Sequence, residues 1–205
     1  MVRTESKPGN KLIPLTDCQK SILSRVFLTG LLIIISIRLD AQPLYKAHNV
    51  VFDLFSTAPL EDIRAESTKG ISALNISSGA VYFRVPIRSF EFKKGLMQEH
   101  FNENYLESSK YPYAEFKGNI RGHVKLSEEG TYPVTVEGDL KLHNVSQKYI
   151  VKAELRVEEG KLMANSTFPV KLADHHIKIP RLVIKNIAEV VQVTVSAKYE
   201  ATATK

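Results

Sequence analysis

Alternation of apolar and polar residues is the strongest pattern along most of this chain. In five stretches apolar side chains recur at every second position, with charged residues at many of the positions between them. Such rows predict antiparallel strands that bury one face and expose the other. The rows are Val81 to Ile87, Ile120 to Leu126, Tyr132 to Leu142, Tyr149 to Val157 and Val191 to Tyr199. Further apolar runs around 50–57, 60–68 and 70–77 raise the expected number of strands to eight or nine.

Turn residues separate these rows at short intervals. Ser78-Gly79, the glycines Gly130 and Gly160, and Asn144 all tolerate positive φ. The short spacing favours antiparallel neighbours, because parallel pairs need crossover helices that the sequence lacks. No internal repeat or linker divides the rows, which indicates one domain. Periodicity alone leaves open whether the sheet closes as a barrel or stacks as a sandwich.

One short helix interrupts the strand pattern. Met97, Phe101 and Tyr105 recur at four-residue spacing and predict a helix with one apolar face, lying over an apolar opening. Pro112 then ends any helix and favours extended geometry at Tyr111.

Two segments carry a resemblance to a known family. Residues 97–118 combine the helix with a proline-broken strand, and residues 136–151 combine Gly138 with a hairpin that holds His143 and Asn144. These segments resemble signatures of the YceI-like family of exported, lipocalin-like lipid-binding proteins, and the resemblance spans about residues 47 to 200. In the first segment the matching positions are His100, Phe101, Leu106, Tyr111, Pro112 and Phe116.

The resemblance implies an all-β fold, a single closed antiparallel lipocalin-like barrel of about eight strands with one short helix inserted. It also implies a non-catalytic binding protein that holds a long-chain isoprenoid or another lipid in an apolar lumen. His100 matches a family position in the helix over the barrel mouth, where it would either contact the ligand head group or make a structural hydrogen bond. The predicted ligand-binding residues are Phe83, Val85, Phe90, Phe92, Met97, His100, Phe101, Tyr105, Phe116, Val136 and Leu140. The sequence departs from the family in having no Trp, and in having Gln98-Glu99 where an Arg-Asp pair is usual.

The N-terminal segment predicts export. Lys20 and Arg25 precede a run of apolar and small residues from Val26 to Ile37, and Ala41 offers a small residue at a cleavage site. That run fits the core of a signal peptide and is shorter than the ~20 residues that span a bilayer. We therefore expect a signal peptide at 1–41, a YceI-like lipid-binding barrel domain at 42–205, and a periplasmic or secreted protein that is not an integral membrane protein after cleavage.

Cleavage changes the charge and removes the single cysteine, Cys18. The remaining chain holds 22 basic and 19 acidic residues, so its formal net charge falls from +6 to +3. The basic residues form no run or stripe, which argues against a nucleic-acid partner. The sequence leaves a homodimer open.

Few polar residues suggest chemistry. His175 and His176 are adjacent, so on a strand their rings would point to opposite faces, and we interpret them as a solvated strand end. His143-Asn144 fits a hairpin turn. No nucleophile elbow or phosphate loop is present. We expect no catalytic residue, no metal ligand and no cofactor.

Two other functions remain open. One is a metal-dependent enzyme on the same barrel that uses His100, Glu103 and His123. The other is a structural envelope or stress-response protein whose lumen is fully packed with side chains and binds nothing.

The export hypothesis predicts the start of the mature chain. Intact-mass measurement of the protein from its native host should place that start within a few residues of Gln42, in a soluble fraction. Retention of residues 1–41 in the membrane fraction would contradict the hypothesis.

Overall fold

The computed structural model describes residues 44–57, 62–122, 124–178 and 189–202. The predicted signal peptide at 1–41 and the candidate ligand His123 lie outside the described residues.

Nine strands dominate the described chain, and every pairing between them is antiparallel. They are β1 (Leu44–Ser56), β2 (Ile63–Asn75), β3 (Ala80–Pro86), β4 (Glu91–Phe92), β5 (Tyr113–Arg121), β6 (Gly130–Leu142), β7 (Val145–Glu158), β8 (Lys161–Lys171) and β9 (Val190–Thr202).

The sheet closes on itself. Its strand order is β1-β9-β8-β7-β6-β5-β3-β2, and β1 pairs with β2 to complete the ring. The two-residue β4 extends the β3 side of β2, where Ala65 pairs with Phe92. This confirms the predicted fold, a closed eight-stranded antiparallel barrel with a short helix inserted.

Inward-facing rows make one core. On β6 the buried residues Val134, Val136 and Leu140 alternate with exposed Glu137 and Asp139. The same period on the other strands gathers apolar side chains on one side of the sheet, as the sequence predicts. Large fully buried members include Leu74 and Val50, and Leu155 and Leu162 are 2% exposed.

The sequence-based strand assignment is wrong in three places. The runs at 60–68 and 70–77 are one strand, β2, because Gly70 lies inside it rather than at a turn. A Cβ at Gly70 would lie 2.8 Å from Cδ2 of Phe52, so glycine makes room for that ring. The row from Ile120 to Leu126 leaves the sheet after Arg121, and β8 has no predicted counterpart.

The helical segment between β4 and β5 is short. Helix α1 (Gly95–His100) passes into a π-helical turn at Phe101–Tyr105, which confirms the predicted short helix. Short 3-10 turns also follow β3 (Ile87–Ser89) and β8 (Leu172–His175). No helix among the described residues is long and apolar enough to cross a bilayer.

Two facing glycines allow an aromatic ring to lie flat on the inner wall. Gly118 and Gly138 are register partners on β5 and β6. A Cβ at Gly138 would lie 2.6 Å from Cα of Gly118 and 2.7 Å from Cζ of Phe116. The two missing side chains therefore create the space that Phe116 occupies.

This geometry predicts the cost of adding one methyl group. Gly138→Ala should destabilise the fold by roughly 1–3 kcal/mol, because overpacking must displace the Phe116 ring or push β5 and β6 away from each other. Gly95→Ala is the matched control, since nothing lies within 4 Å of a Cβ there, and it should be neutral or stabilising by up to about 1 kcal/mol in a helix. Equal unfolding free energies for the two variants in a denaturant titration would contradict the packing argument.

Candidate functional site

The barrel encloses an apolar cavity of about 160 Å³. Every strand of the ring contributes to its wall, and the wall is almost entirely carbon. Along β6 the lining runs from Val134 to Leu142, a length of about 26 Å at ~3.3 Å per residue, or on the order of 20 Å of depth after strand tilt. The lumen therefore offers a deep apolar site, and a cavity of this size with apolar walls can bind a hydrophobic molecule.

Seven of the eleven predicted ligand-binding residues line this cavity. They are Phe83, Val85, Phe90, Phe101, Phe116, Val136 and Leu140. Phe92, Met97, His100 and Tyr105 are partly buried at the same end of the barrel, around α1, and do not belong to the lining.

Aromatic rings close the barrel end beneath α1. The Phe101 ring lies 4.9 Å from Phe92 and 5.7 Å from Phe90, measured between ring centroids. Tyr105 packs on a second apolar cluster formed by Ile87, Leu106 and Ile177. We call this end the helix end of the barrel.

The polar groups of α1 lie beside these rings. His100 takes part in no hydrogen bond or ion pair with Glu103 within the described chain. Two buried atoms, Oγ of Ser56 and Oδ1 of Asn102, likewise lack a hydrogen-bond partner among the described residues. Buried polar atoms without a hydrogen-bond partner are costly to stability.

A buried hydroxyl pair lies at the opposite end of the barrel. Oη of Tyr199 lies 2.7 Å from Oγ of Ser72, and both residues are buried next to Leu74. Burial raises the pKa of Tyr199 to about 12. Tyr199, which lines the lumen at this end, is therefore uncharged at physiological pH.

Sequence reasoning missed part of the lining. Phe52 and Leu54 of β1 and Phe168 and Val170 of β8 face the cavity. On β8 the alternation of Leu162, Ala164, Ser166, Phe168 and Val170 is the signal that could have found them, but two small residues weaken it.

The prediction that His175 and His176 form a solvated strand end is wrong for His175. This residue is 0% exposed in the 3-10 turn after β8, and only His176 is exposed. Nδ1 of His175 lies 3.1 Å from the carbonyl oxygen of Val145, and Nε2 lies 3.1 Å from Oη of Tyr149. A carbonyl can only accept, so Nδ1 carries the proton and the tyrosine hydroxyl donates to Nε2. Burial lowers the pKa of His175 below 6.5.

His143 connects this turn to the segment after the π-helical turn. Its Nε2 donates to Oε2 of Glu107 at 2.8 Å, and its Nδ1 lies 3.3 Å from the carbonyl oxygen of His175. The hydrogen bond from His143 lowers the pKa of the Glu107 carboxyl. His143 and Asn144 both have positive φ, which confirms the predicted turn. The network ties three chain segments together at the helix end.

The described residues hold no group of three or more His, Cys, Asp or Glu side chains that could bind a metal ion. What the arrangement offers chemically is apolar contact along the lumen, with two polar atoms at the helix end that have no hydrogen-bond partner within the described part of the chain.

The buried histidine predicts a pH dependence of stability. The unfolded chain binds a proton at His175 near pH 6.5 and the folded chain resists it, so folding stability should fall as pH drops below about 6.5. The unfolding midpoint should therefore decrease between pH 7 and pH 5, a window that lies above the titration of Glu107. His175→Gln should flatten this dependence, and exposed His48→Gln should keep it. An unchanged profile in His175→Gln would refute the assignment.

Comparison with known proteins agrees with this fold. A sequence model of the YceI-like domain matches residues 47–199. No curated protein matches the chain. Similar solved structures have low sequence identity, so their likeness concerns the fold.

One is a polyisoprenoid binding domain from Saccharophagus degradans implicated in plant cell wall breakdown, with a TM-score of 0.66 and 15% identity over 77% of this chain and 98% of that one. Another is BcnA from Burkholderia cenocepacia, with a TM-score of 0.63 and 12% identity over 73% of this chain and 95% of that one. A mutant of a Campylobacter jejuni YceI protein has a TM-score of 0.51 and 13% identity over 66% of this chain and 81% of that one. The family match confirms the resemblance seen in the sequence, and the chain belongs to the YceI-like domain family.

Proposed function

We propose that this chain is an exported, non-catalytic binding protein that holds a long-chain isoprenoid or a similar lipid in the barrel lumen. The observation that carries the proposal is the deep apolar cavity, lined from all eight strands of the ring. Charged or strongly hydrated molecules would lose their hydration between apolar walls at a high cost in free energy, whereas hydrocarbon lowers its free energy by leaving water. The depth suits a long chain better than a compact molecule.

The cavity distinguishes this proposal from a barrel that fills its own interior. Small barrels can pack their lumen completely, but here about 160 Å³ remains open among Phe83, Phe116, Val136 and the other lining residues. Protein interiors are otherwise close-packed, and unfilled space costs stability. Retaining that space is consistent with a ligand that fills it.

The similar solved structure described as a polyisoprenoid binding domain supports the class of ligand. Its likeness to this chain concerns the fold, so the ligand assignment rests on the lumen of this protein as well. Periplasmic or secreted location is part of the proposal and follows from the predicted signal peptide.

We place the hydrocarbon tail against the seven lining residues and the polar head at the helix end. His100 and Asn102 belong to the helical segment that carries Phe101. The roles of Met97 and Tyr105 are to support α1 over this end of the barrel.

Chain length should decide affinity. Each buried CH₂ contributes ~0.8 kcal/mol, so eight carbons give ~6 kcal/mol, which an association cost of 4 kcal/mol or more largely cancels. Twenty carbons give ~16 kcal/mol, enough for roughly micromolar affinity. Titration of isoprenoid alcohols into delipidated protein, followed by native mass spectrometry, should show binding of long chains only. Equal affinity for eight and twenty carbons would exclude the lumen as the site.

A charge in the lumen should abolish binding. Phe101→Asp places an unpaired carboxylate against apolar walls, which costs several kcal/mol. Ile150→Asp is the matched control, because Ile150 is 74% exposed on the outer face of β7. Circular dichroism should first establish that both variants are folded. Lipid occupancy in native mass spectra should then disappear in Phe101→Asp and persist in Ile150→Asp. Equal occupancy would contradict the proposal.

A further inference from the structure

The ladder of hydrogen bonds between β7 and β8 stops halfway along β7. Pairs join 153–158 of β7 to 161–166 of β8, and among the described residues none joins 145–152 to 167–171. Both strands stay paired on their other sides, β7 with β6 and β8 with β9. The wall between these two segments, which we call the β7–β8 seam, is therefore not closed by backbone pairing.

Side chains close the seam instead. Oγ of Ser166 donates to the carbonyl oxygen of Lys152 at 2.8 Å, at the point where the ladder ends. The Tyr149 ring meets the Phe168 ring edge-on with 6.1 Å between centroids, and the His175 ring stacks on Tyr149 with 6.0 Å between centroids. Nε2 of Gln147 donates to the carbonyl oxygen of Asp174 at 2.8 Å.

The seam lies directly beside the lumen. Ala153, Ser166 and Phe168 line the cavity where the ladder ends, whereas Tyr149 does not belong to the lining. Tyr149 thus contacts both a lumen-facing ring, Phe168, and the buried His175. Moving the tyrosine ring would remove the side chain that covers Phe168 at the seam.

Other regions of the wall are closed more firmly. The ladder of β2 is also interrupted, between its pairs with β3 and β4, but it resumes at Glu66 and Ala65 and is bridged by Ser67 and Ser89, whose Oγ atoms are 2.6 Å apart. The helix end is closed by an apolar cluster with Ile87 2% exposed and Leu106 5% exposed. Opening either region exposes buried apolar surface or breaks a resumed ladder.

We infer that the β7–β8 seam is the route by which the ligand enters and leaves the lumen, with Tyr149 as the side chain that closes it. The inference rests on the proposed function. Opening the seam breaks side-chain hydrogen bonds and ring contacts and leaves the backbone ladders on both sides intact. Regions with few ladder bonds open locally at lower free energy than the rest of a fold.

The test compares exchange rates among variants whose altered side chains lie outside the lumen. The probe is an eighteen-carbon conjugated tetraene fatty acid, whose fluorescence rises when it leaves water, mixed with the delipidated protein in a stopped-flow instrument. Tyr149→Ala should raise both the uptake and the release rate by about tenfold or more, the effect of losing one hydrogen bond and two ring contacts. Its equilibrium affinity should stay within about threefold of wild type, since Tyr149 is not among the lining residues.

Two further variants test whether a change in exchange rate is specific to the β7–β8 seam. Tyr132→Ala removes another half-buried tyrosine whose hydroxyl is hydrogen-bonded, to the carbonyl oxygens of Lys125 and Glu128, away from the seam. It should leave both rates unchanged, so equal acceleration in both tyrosine variants would attribute the effect to general loosening and overturn the inference. Gln98→Ala removes the hydrogen bond that the backbone N–H of Phe92 donates to Oε1 of Gln98 in α1.

If Gln98→Ala raises the uptake and release rates and Tyr149→Ala does not, the entrance lies under α1, and the β7–β8 seam is not the route. Failure of wild type to bind the probe or any long isoprenoid alcohol would refute the proposed function itself. Binding with unchanged rates in Tyr149→Ala would refute only the route.

Discussion

Closure of the sheet is the constraint on which the rest of this structure depends. Once β1 pairs with both β2 and β9, every inward-facing side chain must share one lumen with those of all the other strands. A strand cannot shift by one residue without placing its charged row inside. On β6 such a shift would bury Glu137 and Asp139, which are now exposed. The same alternation that forms the strands therefore makes the interior apolar, and the interior can serve a ligand only where side chains leave it unfilled.

Two local features change the shape and the closure of that interior. Gly118 and Gly138 make room for the Phe116 ring on the inner wall, and Gly70 makes room for Phe52. Where the β7–β8 ladder ends, Ser166, Tyr149 and His175 replace backbone hydrogen bonds with side-chain contacts. At the glycines, the absence of side chains leaves room for aromatic rings. Where the β7–β8 ladder ends, polar side chains take the place of backbone hydrogen bonds. Together they shape a cavity and leave one section of its wall less firmly closed.

The sequence predicted most of the antiparallel strands and many of the inward-facing residues because both depend on period two, which is a local signal, whereas closure of the sheet into a barrel followed from the resemblance to the YceI-like family. Val134 to Leu142 on β6 could be assigned in this way, as could the short helix around Phe101. The burial of His175 could not be predicted, because it depends on Val145 and Tyr149, which are 30 and 26 residues away in sequence. The joining of two predicted strands into β2 depends on the close approach of Phe52 to Gly70, a contact across strands. Both failures involve long-range packing, which no local pattern contains.

The hydroxyl pair at the far end of the lumen also sets a direction. Oη of Tyr199 and Oγ of Ser72 bond to each other in a buried, uncharged floor, so a polar head that reached this floor would have to compete for partners that are already engaged. At the helix end, Oγ of Ser56 and Oδ1 of Asn102 have no hydrogen-bond partner among the described residues. If the lumen holds a lipid as proposed, a molecule with one polar terminus would bind with its tail toward the hydroxyl pair, and a molecule of the same length with two polar termini would leave one of them among hydrocarbon. The barrel would thus discriminate by the number of polar ends as well as by chain length.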